Sequence, residues 1–169
     1  MMIRERSKIL GTILIKPVTK DDIGVWMELS REYDEYIKEM VSDLTHWYEG
    51  NETDTAFADY MNAKIEKNEA FMAIDDKECL GIIAFSRTHN RITFFAVAHN
   101  KEFETVGEIL MNHAFNQLNT SLDISINVIK STAEHVKKER EFAKKCGFEF
   151  AKEELENGVP VDKMIKQPC

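Results

Sequence analysis

The stretch Arg91–Leu118, RITFFAVAHNKEFETVGEILMNHAFNQL, restricts the fold more than any other part of the chain. Ile92, Phe94, Phe95, Ala96 and Val97 make an almost continuous apolar run, as in a strand covered on both faces of its sheet. Helical spacing follows at once, with Phe103, Val106, Gly107, Leu110, Ala114 and Leu118 in step. Gly107 adds nothing to a helix, so its expected use is close approach of the backbone to another group. A strand that feeds a helix presents unpaired N–H groups and the positive end of the helix dipole, which together form an anion site. The same pattern also serves an ordinary βα unit, and a lone glycine does not separate the two.

At 169 residues the sequence predicts a single domain, residues 1–169, large enough for its own core. A net charge of −8 argues against nucleic acid and anionic membranes as partners and leans toward an amine-bearing one. Cys79, Cys146 and Cys169 form no CxxC pair, and no His spacing such as HExxH occurs, so neither a disulfide framework nor a metal site is expected. The apolar run Leu10–Ile15 is too short for a signal peptide, and no stretch reaches the ~20 apolar residues of a membrane span. A cytoplasmic location is the expectation that fits.

In chain order, Thr12–Val18 reads as a first strand, and Thr19-Lys-Asp-Asp as a helix N-cap. Ile23, Trp26, Met27 and Ser30 mark a first helix face, continued from Tyr33 to Leu44. Glu49–Asp54 reads as the clearest loop, followed by a helix through Phe57, Tyr60, Met61 and Ile65. Ala70–Ile74 and Leu80–Phe85 are strands about an Asp75–Lys77 turn, and His89-Asn90 is a hairpin turn. Leu122–Ile129 alternates apolar and polar residues, as a strand does. A helix from about Thr132 to Lys145 is closed by Gly147 at the C-cap, and two more strands follow, Phe148–Glu153 and Val161–Lys166, about the turn Glu156–Pro160. The long helix after Val97 should join two parallel neighbours by a right-handed crossover. The last strand, read as exposed, could pair with a second copy in a homodimer.

This order, with Val97 at a strand end, Gly107 three residues before Leu110, and Gly147-Phe148 closing a later helix, resembles the GNAT (general N-acetyltransferase) superfamily from about Ile13 to Ile165. The resemblance implies an α/β (α+β) fold: a GNAT-like mixed central sheet of six or seven strands flanked by four or five helices, with its core at about 12–166. It implies acetyl-CoA as co-substrate and an amine on a small molecule or peptide as acceptor. The cofactor-binding residues it points to are Phe95, Ala96 and Val97 at the strand end and Lys101, Glu102, Phe103, Glu104, Thr105, Val106 and Gly107 around the diphosphate. Asn127, with Ser125, faces the polar side of its strand and could bond the pantetheine amides. The chain departs from the family pattern where Glu102, Phe103 and Thr105 replace Arg/Gln and glycines, and where Ala143 stands at the position of a general-acid tyrosine.

Acyl transfer to an amine must remove a proton from a group with a pKa near 10.4, stabilise an oxyanion and expel a thiolate of pKa near 8.5. Backbone amides of Phe95–Val97 are the expected oxyanion donors. Ala143 cannot give a proton, and Thr93–Ala96 holds no glutamate base, so Tyr33, Glu35 and Tyr36 near the first helices are the catalytic candidates. Each also has an ordinary reading as a surface or packing residue. His89 and His99 flank the same strand and read equally as solvated loop histidines. A catalytically silent GNAT-fold module that binds CoA or another protein remains the alternative.

Overall fold

The computed structural model describes residues 13–40, 51–98, 102–130, 134–156 and 159–168, the side chains of 32–40, 51–57 and 134–135 excepted. Seven strands form one sheet in the order β1-β2-β3-β4-β5-β7-β6. They are β1 Ile13–Pro17, β2 Ala70–Asp75, β3 Glu78–Ser86, β4 Arg91–Val97, β5 Ile124–Ile129, β6 Phe148–Glu156 and β7 Val159–Lys166. Four helices flank the sheet among the described residues: α1 Ile23–Met40, α2 Asn51–Glu66, α3 Phe103–Gln117 and α4 Glu134–Lys145. Every neighbouring pair is antiparallel except β4 and β5, which α3 joins as parallel strands.

The element order matches the hydrophobic periods, with two corrections. Helix α2 begins at Asn51, so the segment read as a loop carries helix from that residue onward. The edge strand is β6, not β7, because β7 pairs with β5 on one side and β6 on the other. The exposed apolar side chains of that edge are Phe150 and Leu155. The tail of the first helix beyond Met40 lies outside the described residues.

The sheet separates two cores. On one face Leu110, Met111 and Ala114 of α3 and Val136, Phe142 and Ala143 of α4 pack on Ile83, Phe85, Ile92 and Ile124. On the other, Trp26, Leu29 and Met61 from α1 and α2 pack on Met72, Ile82, Ala84 and Ala96. The Thr19 N–H donates to the Asp22 carboxylate at 2.9 Å and starts the first helix as its N-cap pattern indicates. Gly147 closes α4 at φ +103°, a left-handed conformation that requires glycine; the Lys166 ammonium that a Cβ would meet at 2.6 Å is the end of a flexible chain and can swing aside.

Candidate active site

The parallel pair β4 and β5 shares one ladder position, Arg91 opposite Ser125, where the Ser125 N–H donates to the Asn90 carbonyl at 3.4 Å. Beyond it the strands diverge into a wedge. Asn90, buried and at φ +53°, fixes the narrow end. Its side-chain amide donates to the Asn119 and Asp123 carbonyls at 2.9 Å each and accepts from the Asn119 N–H at 2.8 Å.

The other edge of β4 sets the direction of its backbone. Ala98 N–H donates to the Leu80 carbonyl at 2.8 Å, and Ile82 stands opposite Ala96 and Ala84 opposite Phe94. In an antiparallel ladder every second residue bonds, so the N–H groups of Phe94 and Ala96 serve β3, while those of Phe95 and Val97 point into the wedge. Two fixed donors aimed at a gap suit a developing oxyanion.

A register shift in β3–β4 pairs Ala84 with Phe94 but Phe85 with Ile92, which leaves Thr93 as the extra, bulged residue. The bulge turns Thr93 and Phe94 to the same face. Phe94 meets Trp26 with ring centroids 5.7 Å apart, and the hydroxyls of Thr93 and Tyr60 are 2.6 Å apart. Burial pushes the Tyr60 phenol up to about 12, so it stays protonated at neutral pH and can donate. Asn127, from the adjacent strand, donates to Glu156 at 2.6 Å and ties the end of the β6–β7 hairpin to β5.

Thr93, Phe94 and Asn127 line a cavity of about 140 Å³ at the wedge between β4 and β5. Met111, Glu139, Phe142 and Ala143 bound it on the α3–α4 side; Arg91, Thr93, Asn127 and Glu156 supply its polar wall. A cavity of about 150 Å³ holds a benzene, so this one takes roughly six non-hydrogen atoms. That is the scale of one small reactant rather than of a whole pantetheine arm.

The first turn of α3 supplies the anion site. Val106 N–H already donates to the Glu102 carbonyl at 2.9 Å, so the amides of Phe103, Glu104 and Thr105 are those that helix geometry leaves unpaired. Lys145 pairs with Glu104 at 2.8 Å, and Lys138 Nζ lies 5.3 Å from the Phe103 ring centroid. Glu104 neutralises Lys145, so the positive charge beside those amides comes from Lys138. Gly107 faces two phenyl rings. A Cβ there would lie 2.9 Å from Phe142 Cζ and 3.0 Å from Phe95 Cζ. Phe95 and Phe142 stack at 5.6 Å, and Phe103 meets them edge-on at 6.0 and 5.3 Å. The close approach expected of Gly107 is thus made by aromatic rings.

Of the residues singled out from sequence, Phe95, Ala96 and Val97 lie on the wedge strand and Glu102–Gly107 on the first turns of α3. Asn127 reaches the cavity wall. Tyr33, Glu35 and Tyr36 fall in α1, and their side chains lie outside the described residues, as do Lys101 and His99 entirely. His89 is exposed in its turn. Sequence reasoning missed Tyr60, Arg91, Thr93 and Glu156. Only Arg91 carried a signal, as a charge at the start of a buried strand.

A mixed sheet split at one parallel pair, with a helix N-terminus beside the split, defines a domain built to admit an extended ligand between two strands. The acetyltransferase (GNAT) domain model matches residues 34–168, and the chain belongs to that family. Its fold is shared with the ribosomal-protein-S18-alanine N-acetyltransferase of Escherichia coli, with TM-score 0.63, 13% identity, and 91% and 92% of the two chains covered. An N-acetyltransferase of Staphylococcus aureus Mu50 gives TM-score 0.63 at 13% identity over 92% and 98%. The N-acetylglutamate synthase of Neisseria gonorrhoeae, solved with coenzyme A and N-acetyl-glutamate, gives 0.63 at 18% over 93% of this chain and 35% of its own. No curated protein matches by sequence. Acyl transfer is the general chemistry of the family. No helix among the described residues is long and apolar enough to cross a membrane.

Proposed function

We propose that this protein is an acyl-CoA-dependent N-acyltransferase that moves an acetyl group from acetyl-CoA to an amine on a small molecule or peptide, in the cytoplasm. The observation that carries the reading is the single ladder position between β4 and β5, with the Phe95 and Val97 amides turned into the gap it leaves. Acetyl-CoA supplies the thioester that the amine attacks. Residues 101–107 form the diphosphate end of the site, with the amides of Phe103, Glu104 and Thr105 as donors and Lys101 adding charge. Asn127 lies on the path of the pantetheine arm. The Phe95 and Val97 amides hold the oxyanion, and Glu156, bonded by the neutral amide of Asn127, stands on the cavity's polar wall to attract the protonated amine. Tyr33, Glu35 and Tyr36 on α1 are the proposed proton-handling groups on the acceptor side. Much of the rate comes from holding both reactants in the wedge, since Ala143 offers no proton and a thiolate leaves without one.

One observation favours a second reading, a GNAT-fold module that binds without transferring: the Phe95–Phe103–Phe142 cluster fills the space beside Gly107. Acetyl-CoA titration followed by thiol release over an amine panel separates the two. Binding with turnover supports the transferase. Binding with silence across the panel supports the module, and no binding at millimolar acetyl-CoA removes both.

A further inference from the structure

The polar wall of the wedge cavity carries two opposite charges that do not neutralise each other. The guanidinium of Arg91, half-buried, makes no hydrogen bond or ion pair to another described residue. The Glu156 carboxylate is bonded by the neutral amide of Asn127. The cations of neighbouring elements are committed elsewhere. Lys64 is committed to Glu69 at 3.2 Å and to the Phe85 carbonyl at 2.6 Å, and Arg87 to Gln117 and to the Lys67 and Asn68 carbonyls. Glu139 stands on the α4 side of the cavity.

A buried or half-buried guanidinium without a carboxylate forgoes its strongest bonds, two parallel N–H···O contacts. Pairing it with Glu156 inside the protein would have satisfied both groups. Holding the two apart on one wall leaves a cation and an anion for a ligand that carries the complementary pair. The cavity, sized for about six non-hydrogen atoms, matches an ammonium and a carboxylate joined by one or two carbons.

We infer that the acceptor is a small amino-carboxylate, whose carboxylate is bound by Arg91 and whose ammonium is bound by Glu156 held in place by Asn127. This rests on the transferase reading for turnover but not for binding. A bidentate carboxylate on Arg91 fixes the amine relative to the strand that carries the Phe95 and Val97 amides. Polyamines and aminoglycosides, which have no anion, leave the half-buried Arg91 without a partner on the cavity wall. They are discriminated against on that ground, because a site built for a polar group rejects analogues that lack it.

The test uses free glycine, alanine, phenylalanine and glutamate, each set against its methyl ester, with the full chain. Equilibrium binding is read by thermal shift and calorimetry without acetyl-CoA, and turnover by thiol release with it. At least one free acid should bind, and its ester at least 30-fold more weakly. Arg91→Gln should bring acid and ester within about threefold, Arg91→Lys should keep part of the preference, and Glu156→Gln should raise KM more than it lowers kcat. Arg91 repels the nearby Lys64 ammonium, so Arg91→Gln is expected to fold, and an unchanged acetyl-CoA affinity checks this. Esters that bind as well as acids, no binding by any acid of the series, or a preference untouched by Arg91→Gln, would overturn the inference. If acids bind through Arg91 but no thiol is released, the amino-carboxylate site stands and the transferase reading fails.

Discussion

Glu69 shows how single side chains set the stability of this sheet. It is 4% exposed, accepts the Arg87 N–H at 2.7 Å and pairs with Lys64 at 3.2 Å. Burial alone raises its pKa, but the Arg87 amide and the Lys64 ammonium outweigh that and hold the carboxyl below its usual range. For Lys64 the balance falls the other way, because burial exceeds the pull of Glu69 and its pKa is lowered. A carboxyl whose folded pKa is depressed stabilises the fold in full above the unfolded value, about 4.3, and loses that contribution as pH falls through the folded value. Glu69→Gln should cost about 3 kcal/mol in urea unfolding at pH 7, since it leaves the Lys64 ammonium without its counter-charge. It should also flatten the decline in stability below pH 4.3. Gly107 makes a steric counterpart. Alanine would gain up to about 1 kcal/mol of helix propensity, yet its Cβ must displace the rings of Phe95 and Phe142, at about 1–3 kcal/mol. Gly107→Ala should therefore lower the unfolding midpoint, and an unchanged or raised midpoint would show that the rings move freely.

At the scale of elements, the short connections hold the wedge open. Asn90 ends the β3–β4 turn and also binds the α3–β5 connection through Asn119 and Asp123. Asn90→Ala removes three hydrogen bonds of a buried side chain and puts alanine at φ +53°, so a loss of about 2–3 kcal/mol is expected. Amide exchange at Ser125 should rise with it, because the Ser125 N–H is bonded to this residue's carbonyl. His89-Asn90 was readable as a turn from sequence, and most strands and helices were readable for the same reason: their periods are local. Asn51–Asp54 misled because polar residues beside a glycine signal a loop and a helix start equally. Thr93 gave no sign of its bulge, since no Gly or Pro marks it. Tyr60 and Glu156 are equally silent, one a helix-face aromatic and the other a hairpin acid. Tyr60 reaches Thr93 only after α2 has packed on the sheet, and Glu156 reaches Asn127 only after the β6–β7 hairpin has folded back onto β5.

For the whole molecule, the two cores on opposite faces are what keep the sheet from zipping shut. α3 and α4 clamp one face through Leu110, Phe142 and Ala143, and α1 and α2 clamp the other through Trp26 and Met61. β4 is bonded to β3 along its length, and β5 to β7 along its own. Each half of the sheet is thus complete without the other, and closing the wedge would have to move one packed half against its helices. Close-packed interiors resist that kind of continuous deformation. The consequence can be measured without knowing the acceptor. In the free protein the Phe94 and Ala96 amides, which face β3, should exchange slowly, while Phe95 and Val97, one residue away on the same strand, should exchange quickly. Acetyl-CoA at about 100 times its Kd should raise global stability by about 2.7 kcal/mol. It should also slow Phe95 and Val97 by more than that global shift, because the ligand itself covers them. Slow exchange at all four amides in the free protein would mean that β4 and β5 pair fully in solution, and the gap on which acyl transfer depends would not exist.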